Sequence, residues 1–443
     1  LLLLPINLMS NGSWCFFNNK YERTQGNIVN SYPKLSGDGN VIISNIWDAL
    51  ELNKQKDTFW LINEHISGLD YILKTSDLNP NGWTFFLNGF EYKIFWNFRE
   101  VFDHKGVYQK LYEKYGSAGI SNIKREVSLL ENHAIYLQLH EILKLENLEA
   151  LAAEILEKSD ANVPAPLSLH MKELVRAIIR EIELVVGIQM QESLVLNAFS
   201  EGLDAYGKLL LIAAHSESQA SGIGNRATNR VLIPLSLQAR DGAAHQVGII
   251  AIYLLVLESI AKGFEDPALE AQVMGNLQLL NGLSYSLQKS GYSDSGKEHI
   301  ELLSEIAGDF YKLVTQKTQT PSASSADIID LPQIQSSVLN LLVAFFQEQQ
   351  TLKFIGVNYF QDEWFFNKES FEELLGWILS LVVFDKLKTG KISELGKPET
   401  HIENLISAME VLYMKLVAAA EKENYKLSAF LDELQAMAIE PTL

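Results

Sequence analysis

Two periodicities divide the chain. Up to about residue 105, apolar positions come in short β-branched and aromatic runs separated by turn residues. The runs are Trp14-Cys15-Phe16-Phe17, Val41-Ile42-Ile43, Thr58-Phe59-Trp60-Leu61-Ile62, Tyr71-Ile72-Leu73, Trp83-Thr84-Phe85-Phe86-Leu87 and Tyr92-Lys93-Ile94-Phe95-Trp96-Asn97-Phe98. Between them lie Ser36-Gly37-Asp38-Gly39-Asn40, Asn79-Pro80-Asn81-Gly82 and Asn88-Gly89. Asn88-Gly89 between two aromatic strands predicts a hairpin, because both residues accept the positive φ of a type I′ turn. A short helix is predicted near Trp47–Leu52. Several short strands at this spacing predict an antiparallel β-sandwich over 1–105.

Beyond Gly106 apolar residues recur about every 3.6 positions. Val127, Leu130, Ala134, Leu137 and Ile142 fall near one predicted helical face, which Leu145, Leu148, Leu151, Ala152 and Ile155 continue. Ser159–Pro166 breaks the pattern, and long helices are predicted over about 167–196 and 198–220. After the break at Gly222-Ile223-Gly224-Asn225, helices are predicted over 243–263, 267–290 and 296–318. Thr318–Ala326 is polar and built of small residues, so 318–329 reads as a linker. The block 330–443 is helical again, interrupted at Gly396-Lys397-Pro398. No repeat of fixed period is evident. The expected class is α+β: an N-terminal antiparallel β-sandwich (1–105), a helical region (106–317), a linker and a C-terminal helical region (330–443).

Composition sharpens this picture. The first 118 residues hold 21 of the 44 aromatic residues and five of the seven Trp. The formal charge of −19 repels phosphate backbones, so nucleic acid is not an expected partner. The apolar runs are shorter than the roughly 20 residues that span a bilayer, so no membrane partner is expected. The single Cys15 excludes an internal disulfide, which favours the cytoplasm. The opening Leu1-Leu2-Leu3-Leu4-Pro5 lacks a basic flank and an initiator Met, so the chain reads as the downstream piece of something longer, or as a processed product.

Motifs for chemistry are sparse. His133 and His140 lie two helical turns apart near Glu131 and Glu141, but Lys144 occupies the position that would close a His-Glu-x-x-His motif, so a surface or capped core pair is expected rather than a metal site. Cys15 between Trp14 and Phe16 reads as a small hydrophobe rather than a nucleophile. Gly222-x-Gly224 lacks a third glycine and a preceding strand, so it reads as an inter-helix loop. No cofactor and no metal are implied. With 55 Asp and Glu, chance carboxylate pairs are unavoidable, and charged residues mostly stay solvated.

Several segments resemble one family. Asn19-Lys20-Tyr21, Gly26, Ile28 and Ser31 resemble the opening of the region that follows the barrel in certain large α-amylase-like proteins. His65-Ile66-Ser67-Gly68-Leu69-Asp70-Tyr71 is similar to a sandwich-strand segment of that family, and Ile94-Phe95-Trp96-Asn97-Phe98-Arg99-Glu100-Val101 with Asp103 is similar to another, in which Asn97 stands where the family usually has Asp. Phe354–Asn358 and Trp364–Trp377 resemble a motif in the same proteins' C-terminal helical region. The resemblance implies a glycoside hydrolase whose (β/α)8 barrel lies upstream. That barrel would carry an Asp two residues after an Arg, a Glu acid/base and a second Asp after a His. No residue here matches that set: Asn-His-Asp is absent, and Arg240-Asp241 has the wrong spacing. No catalytic residue is therefore assigned.

The expected function is that of a non-catalytic C-terminal portion of an α-amylase-like hydrolase, with the upstream barrel of the same polypeptide and an α-glucan as partners. Trp60 and Trp83 are the candidate sugar-contact residues. Arg99 and Glu100 are expected to form a partly buried pair pinning the sheet edge to the first helix. Asn358, Trp364, Glu369 and Trp377 are expected at a core or an interface. A free-standing carbohydrate-binding module with Trp60 or Trp83 in a shallow groove and a helical protein-interaction scaffold are the alternatives.

Overall fold

The structure, a computed structural model, describes residues 2–6, 13–30, 33–43, 45, 57–78, 82–157, 166–219, 243–318, 331–388 and 398–439. An N-terminal antiparallel β region is followed by many helices, so the class is α+β. The chain forms two compact units, Leu1–His133 and Ala134–Leu443.

In the first unit the strands are β1 (Leu2–Ile6), β2 (Ser13–Phe17), β3 (Thr24–Ile28), β4 (Lys34–Leu35), β5 (Val41–Ile42), β6 (Thr58–Glu64), β7 (Asp70–Lys74), β8 (Trp83–Leu87) and β9 (Tyr92–Phe102). A five-stranded sheet has the order β1-β2-β9-β6-β7, with every pairing antiparallel. The ribbon β3–β8 packs on one face of it, where Phe16, Ile28, Ile62, Trp83, Phe85, Leu87 and Phe95 form the core. Helices α1 (Val107–Tyr115) and α2 (Ile123–Glu131) cover the other face through Phe59, Leu61, Ile72, Val107, Leu111, Ile120 and Ile123. Alternation along β6 explains both layers: Trp60 and Ile62 point to the sandwich and Phe59 and Leu61 to the helices. The unit therefore runs past residue 105, because α1 and α2 bury the second face of the sheet.

The Asn88-Gly89 hairpin does not form. β8 pairs with β3 and β9 with β2 and β6, so the turn carries the chain from one sheet to the other. Asn18 Nδ2 donates to the carbonyl of Asn88 at 2.8 Å and holds the crossing. Gly89 is required by close approach, since a Cβ there would lie 2.2 Å from the carbonyl oxygen of Tyr21.

The second unit contains α3 (His133–Leu143), α4 (Leu145–Glu157), α5 (Pro166–Val186), α6 (Glu192–Gln219), α7 (Ala243–Ala261), α8 (Pro267–Leu277), α9 (Leu279–Lys289), α10 (Asp294–Thr318), α11 (Leu331–Phe345), α12 (Gln349–Phe354), the hairpin β10 (Asn358–Phe360) and β11 (Glu363–Phe365), α13 (Lys368–Lys388), α14 (Pro398–Lys422) and α15 (Leu427–Ile439). α13, and α7 from Gly248 onward, are buried nearly all round. The continuous face expected from Val127 to Ile142 is broken at Asn132, where α2 ends. Leu130, Ala134 and Leu137 are exposed; Ile142 is buried as expected, together with Ile135, Tyr136, Leu139 and Leu143. Gly187, at φ 75°, ends α5 before the expected boundary, and Gln278 separates α8 from α9. The predicted helix at 47–52, the Gly222–Asn225 loop and residues 319–329 of the predicted linker lie outside the described residues.

Candidate functional site

Buried Glu64, at the end of β6, organises the loop to β7. Its Oε1 accepts from the backbone N–H groups of Ile66 and Ile94, both at 3.0 Å. Its Oε2 accepts from Ser67 N at 2.7 Å and Ser67 Oγ at 2.6 Å. Burial raises the carboxyl pKa, but these four hydrogen bonds outweigh it and hold the group below the usual carboxylate range. The His65–Leu69 segment is thus a clamped β6–β7 turn, with Gly68 at φ 68°.

Asp103 performs the corresponding task at the start of α1. Its two carboxylate oxygens accept from Val107 N at 2.8 Å and Gln109 N at 2.9 Å. Gly106, the N-cap residue, supplies no side-chain bond, so Asp103 satisfies the free donors of the first turn. The pinning role expected of Arg99 and Glu100 falls to Asp103. Both of those residues are exposed, and β9 lies inside the sheet between β2 and β6, not at its edge.

Asn97 introduces a bulge. β9 places Asn97 and Phe98 opposite the single residue Ile62 of β6, and Asn97 adopts φ 54°. The extra residue brings Phe95 and Phe98 onto the same sandwich face. It leaves Trp96 46% exposed, its ring edge-on to His65 at 5.8 Å.

Neither expected sugar-contact tryptophan offers an open face. Trp83 is 6% exposed and lies in the core against Trp14, Phe16, Phe85 and Phe95. Trp60 is half-buried beside Phe98. Among the described residues, the exposed indoles are Trp96 and Trp364.

Trp364 belongs to the β10–β11 hairpin, which a helical reading of 330–443 misses. Tyr359 and Trp364 are register partners with ring centroids 4.9 Å apart and planes at 53°. They are 57% and 53% exposed, and Phe360 is also exposed. The turn residues Gln361 and Asp362 both have positive φ, 48° and 63°, which gives a two-residue turn the twist that matches its strands. Such a short ribbon is marginal by itself. It is held by the Glu363–Lys426 ion pair at 3.0 Å, by Phe366 N donating to Tyr425 O at 3.0 Å, and by the buried cluster Phe346, Phe366, Phe371 and Phe430. The residues expected at a core or an interface therefore divide. Trp377 is buried in α13, Glu369 is exposed in its first turn, and Asn358 is exposed at the start of β10. The signal for the hairpin was the aromatic spacing Tyr359-Phe360…Trp364-Phe365, hidden because Gln-Asp is not a usual turn pair.

Of the remaining candidates, His140 Nδ1 lies 3.1 Å from Ser286 Oγ, and burial pushes its pKa down; His133 is exposed. Cys15 is half-buried in β2. Inside the second unit, Glu258 (α7) and Asp385 (α13) both raise the pKa of buried Tyr311 (α10), burial being the larger cause. Lys388 pairs with Glu258, and Lys386 pairs with Asp385 at 3.3 Å. Asp385 is only 3% exposed, and each of the two carboxylates has a lysine partner among these helices. Glu410 differs: burial pushes its carboxyl up to about 7.

Comparison with protein-family models, with curated proteins and with solved structures found no match to this chain. Among the described residues no helix is long and apolar enough to cross a membrane, and no group of three or more His, Cys, Asp and Glu is placed to hold a metal ion.

Proposed function

We propose that this chain is the framework portion of an α-amylase-like glycoside hydrolase, supporting a catalytic barrel encoded upstream and contacting its α-glucan. The observation that carries this reading is what the family-like segments do. Glu64 clamps the turn containing His65–Leu69, Asn97 sets the bulge of β9, and Asp103 caps the helix that follows. Glu64 and Asp103 spend their carboxylates on joining strands and helices, and Asn97 sets strand geometry through its backbone. The acidic charge of −19 suits a neutral polyol ligand better than a phosphorylated one.

The test is the coding sequence immediately upstream of Leu1. It is expected to encode alternating strands and helices of a (β/α)8 barrel with an Asp two residues after an Arg. An upstream segment without that pattern would contradict the proposal.

A further inference from the structure

Of the four Asn-Gly pairs in the sequence, two are described in full, Asn88-Gly89 and Asn281-Gly282. Asparagine followed by glycine is chemically labile, because no Cβ shields the glycine nitrogen from the side-chain carbonyl. The two pairs stand in opposite settings. Asn281-Gly282 lies in the first turn of α9, with Asn281 Nδ2 donating to Gln278 Oε1 at 2.7 Å and Gly282 buried against Tyr136. Helical φ/ψ keep an asparagine side chain off the following nitrogen. Asn88 and Gly89 are both exposed, outside any strand or helix. Among the described residues, the side-chain amide of Asn88 and the N–H of Gly89 have no hydrogen-bond partner. The fold uses only the backbone of Asn88, and it demands the glycine that follows, since any side chain at 89 would meet Tyr21.

The backbone carbonyl of Asn88 is where the crossing between the sheets is tied. It accepts from Glu91 N at 3.2 Å and from Asn18 Nδ2 at 2.8 Å. Asn18 is 3% exposed and joins the segment 18–24 to the crossing. Its Nδ2 also donates to Glu22 O at 2.8 Å, and its Oδ1 accepts from Lys20 N at 3.2 Å and Thr24 Oγ1 at 3.1 Å. We propose that Asn88-Gly89 is a site of spontaneous isoaspartate formation, which unties this crossing as the protein ages. The Gly89 nitrogen, having lost its proton to hydroxide, attacks Cγ of Asn88. The bond from Cγ to the side-chain nitrogen breaks, and that nitrogen takes a proton from water and leaves as ammonia. Water then opens the cyclic imide at the former backbone carbonyl, with no oxidation or reduction. The chain now runs through Cβ and Cγ, one methylene longer, and the carbonyl that Asn18 and Glu91 bonded has become a free carboxylate. That charge stands beside Glu91, whose Oε2 accepts from Asn88 N at 2.6 Å, so like charges meet where the turn was closed.

The test is incubation of the full chain in mildly alkaline buffer, folded and in urea, followed by peptide mapping with a fragmentation method that separates isoaspartate from aspartate. Thermal melts are taken on fresh and aged protein, for the wild type and for Asn88→Gln, whose longer side chain closes an imide far more slowly while the backbone is kept. In the folded wild type, isoaspartate is expected at Asn88, with Asn281 converting at least about tenfold more slowly because its helix must open first. In urea both are expected to convert. The aged wild type is expected to melt below the fresh protein, in proportion to the isoaspartate at 88, and Asn88→Gln to keep its melt through ageing. If Asn88 in the folded chain stays intact, or converts no faster than Asn281, the proposal is overturned. Isoaspartate accumulating at 88 with an unchanged melt would show that its carbonyl is not a tie, and would overturn it too. So would an Asn88→Gln protein that loses stability on ageing as the wild type does, since the damage would then lie elsewhere.

Discussion

The indole Nε1 of Trp96 donates to Oδ1 of Asn63 across the β6–β9 pair at 2.5 Å. The bond joins the residue turned outward by the bulge to the strand that the bulge opposes. The bulge itself depends on the positive φ of Asn97. Asn is among the few side-chain-bearing residues that adopt this region readily, and glycine adopts it without steric cost. Asn97→Gly is therefore expected to leave stability within about 0.5 kcal/mol of the wild type, and Asn97→Val to cost about 1–3 kcal/mol in denaturant unfolding. Equal stability of the Val variant would show that the bulge does not require this backbone conformation.

Glu64→Ala is expected to destabilise the first unit by about 1–3 kcal/mol, because it leaves the part-buried N–H groups of Ile66, Ser67 and Ile94 without their acceptor. The folded-state pKa lies below the unfolded value of 4.5, so the stability it gives is present above that pH and is lost as pH falls through the folded pKa. Glu64→Gln is expected to flatten this acid limb. Urea melts of wild type and variant between pH 3 and 6 measure it; parallel curves would contradict the clamp.

Glu410 has the opposite sign. Burial raises its folded-state pKa from 4.5 to about 7, so the wild type is expected to lose stability as pH rises from 4.5 towards 7 and to level off above it. Glu410→Gln is expected to remove that slope and to be the more stable protein at pH 8. A variant less stable than the wild type at pH 8 would show that the charged form has a partner.

The aromatic residues of the C-terminal block divide into core and display. Phe430→Ala is expected to cost about 3–5 kcal/mol, since it empties a site enclosed by Phe346, Phe366 and Phe371. Trp364→Ala is expected to cost no more than about 1 kcal/mol, the worth of its ring contact with Tyr359. Chemical unfolding of the two variants measures the contrast, and similar losses would mean that Trp364 is not a displayed side chain.

The α+β order was legible because period-2 aromatic runs and period-3.6 aliphatic runs are separated along the chain. The strand assignments at Thr58–Ile62 and Trp83–Leu87 rest on that pattern alone. Pairing partners were not legible. Asn88-Gly89 has the chemistry of a hairpin turn, yet the close approach of Gly89 to Tyr21 belongs to a crossing between sheets, which only the three-dimensional packing specifies. Exposure was equally hidden. Trp83 and Trp96 read alike in sequence, and the outward turn of Trp96 follows from one extra residue in β9. In the helical region, a Gly such as Gly187 marks a break, whereas Asn132 and Gln278 end helices without an obvious breaker.

Framework function with glucan contact is tested most directly by a proton NMR saturation-transfer experiment on the purified chain with maltoheptaose. Saturation of the protein is expected to reach the glucosyl ring protons while the anomeric signals stay constant over a day. Absence of transfer, or growth of new reducing-end anomeric signals that vanishes when an acidic pair within the chain is mutated, would contradict it.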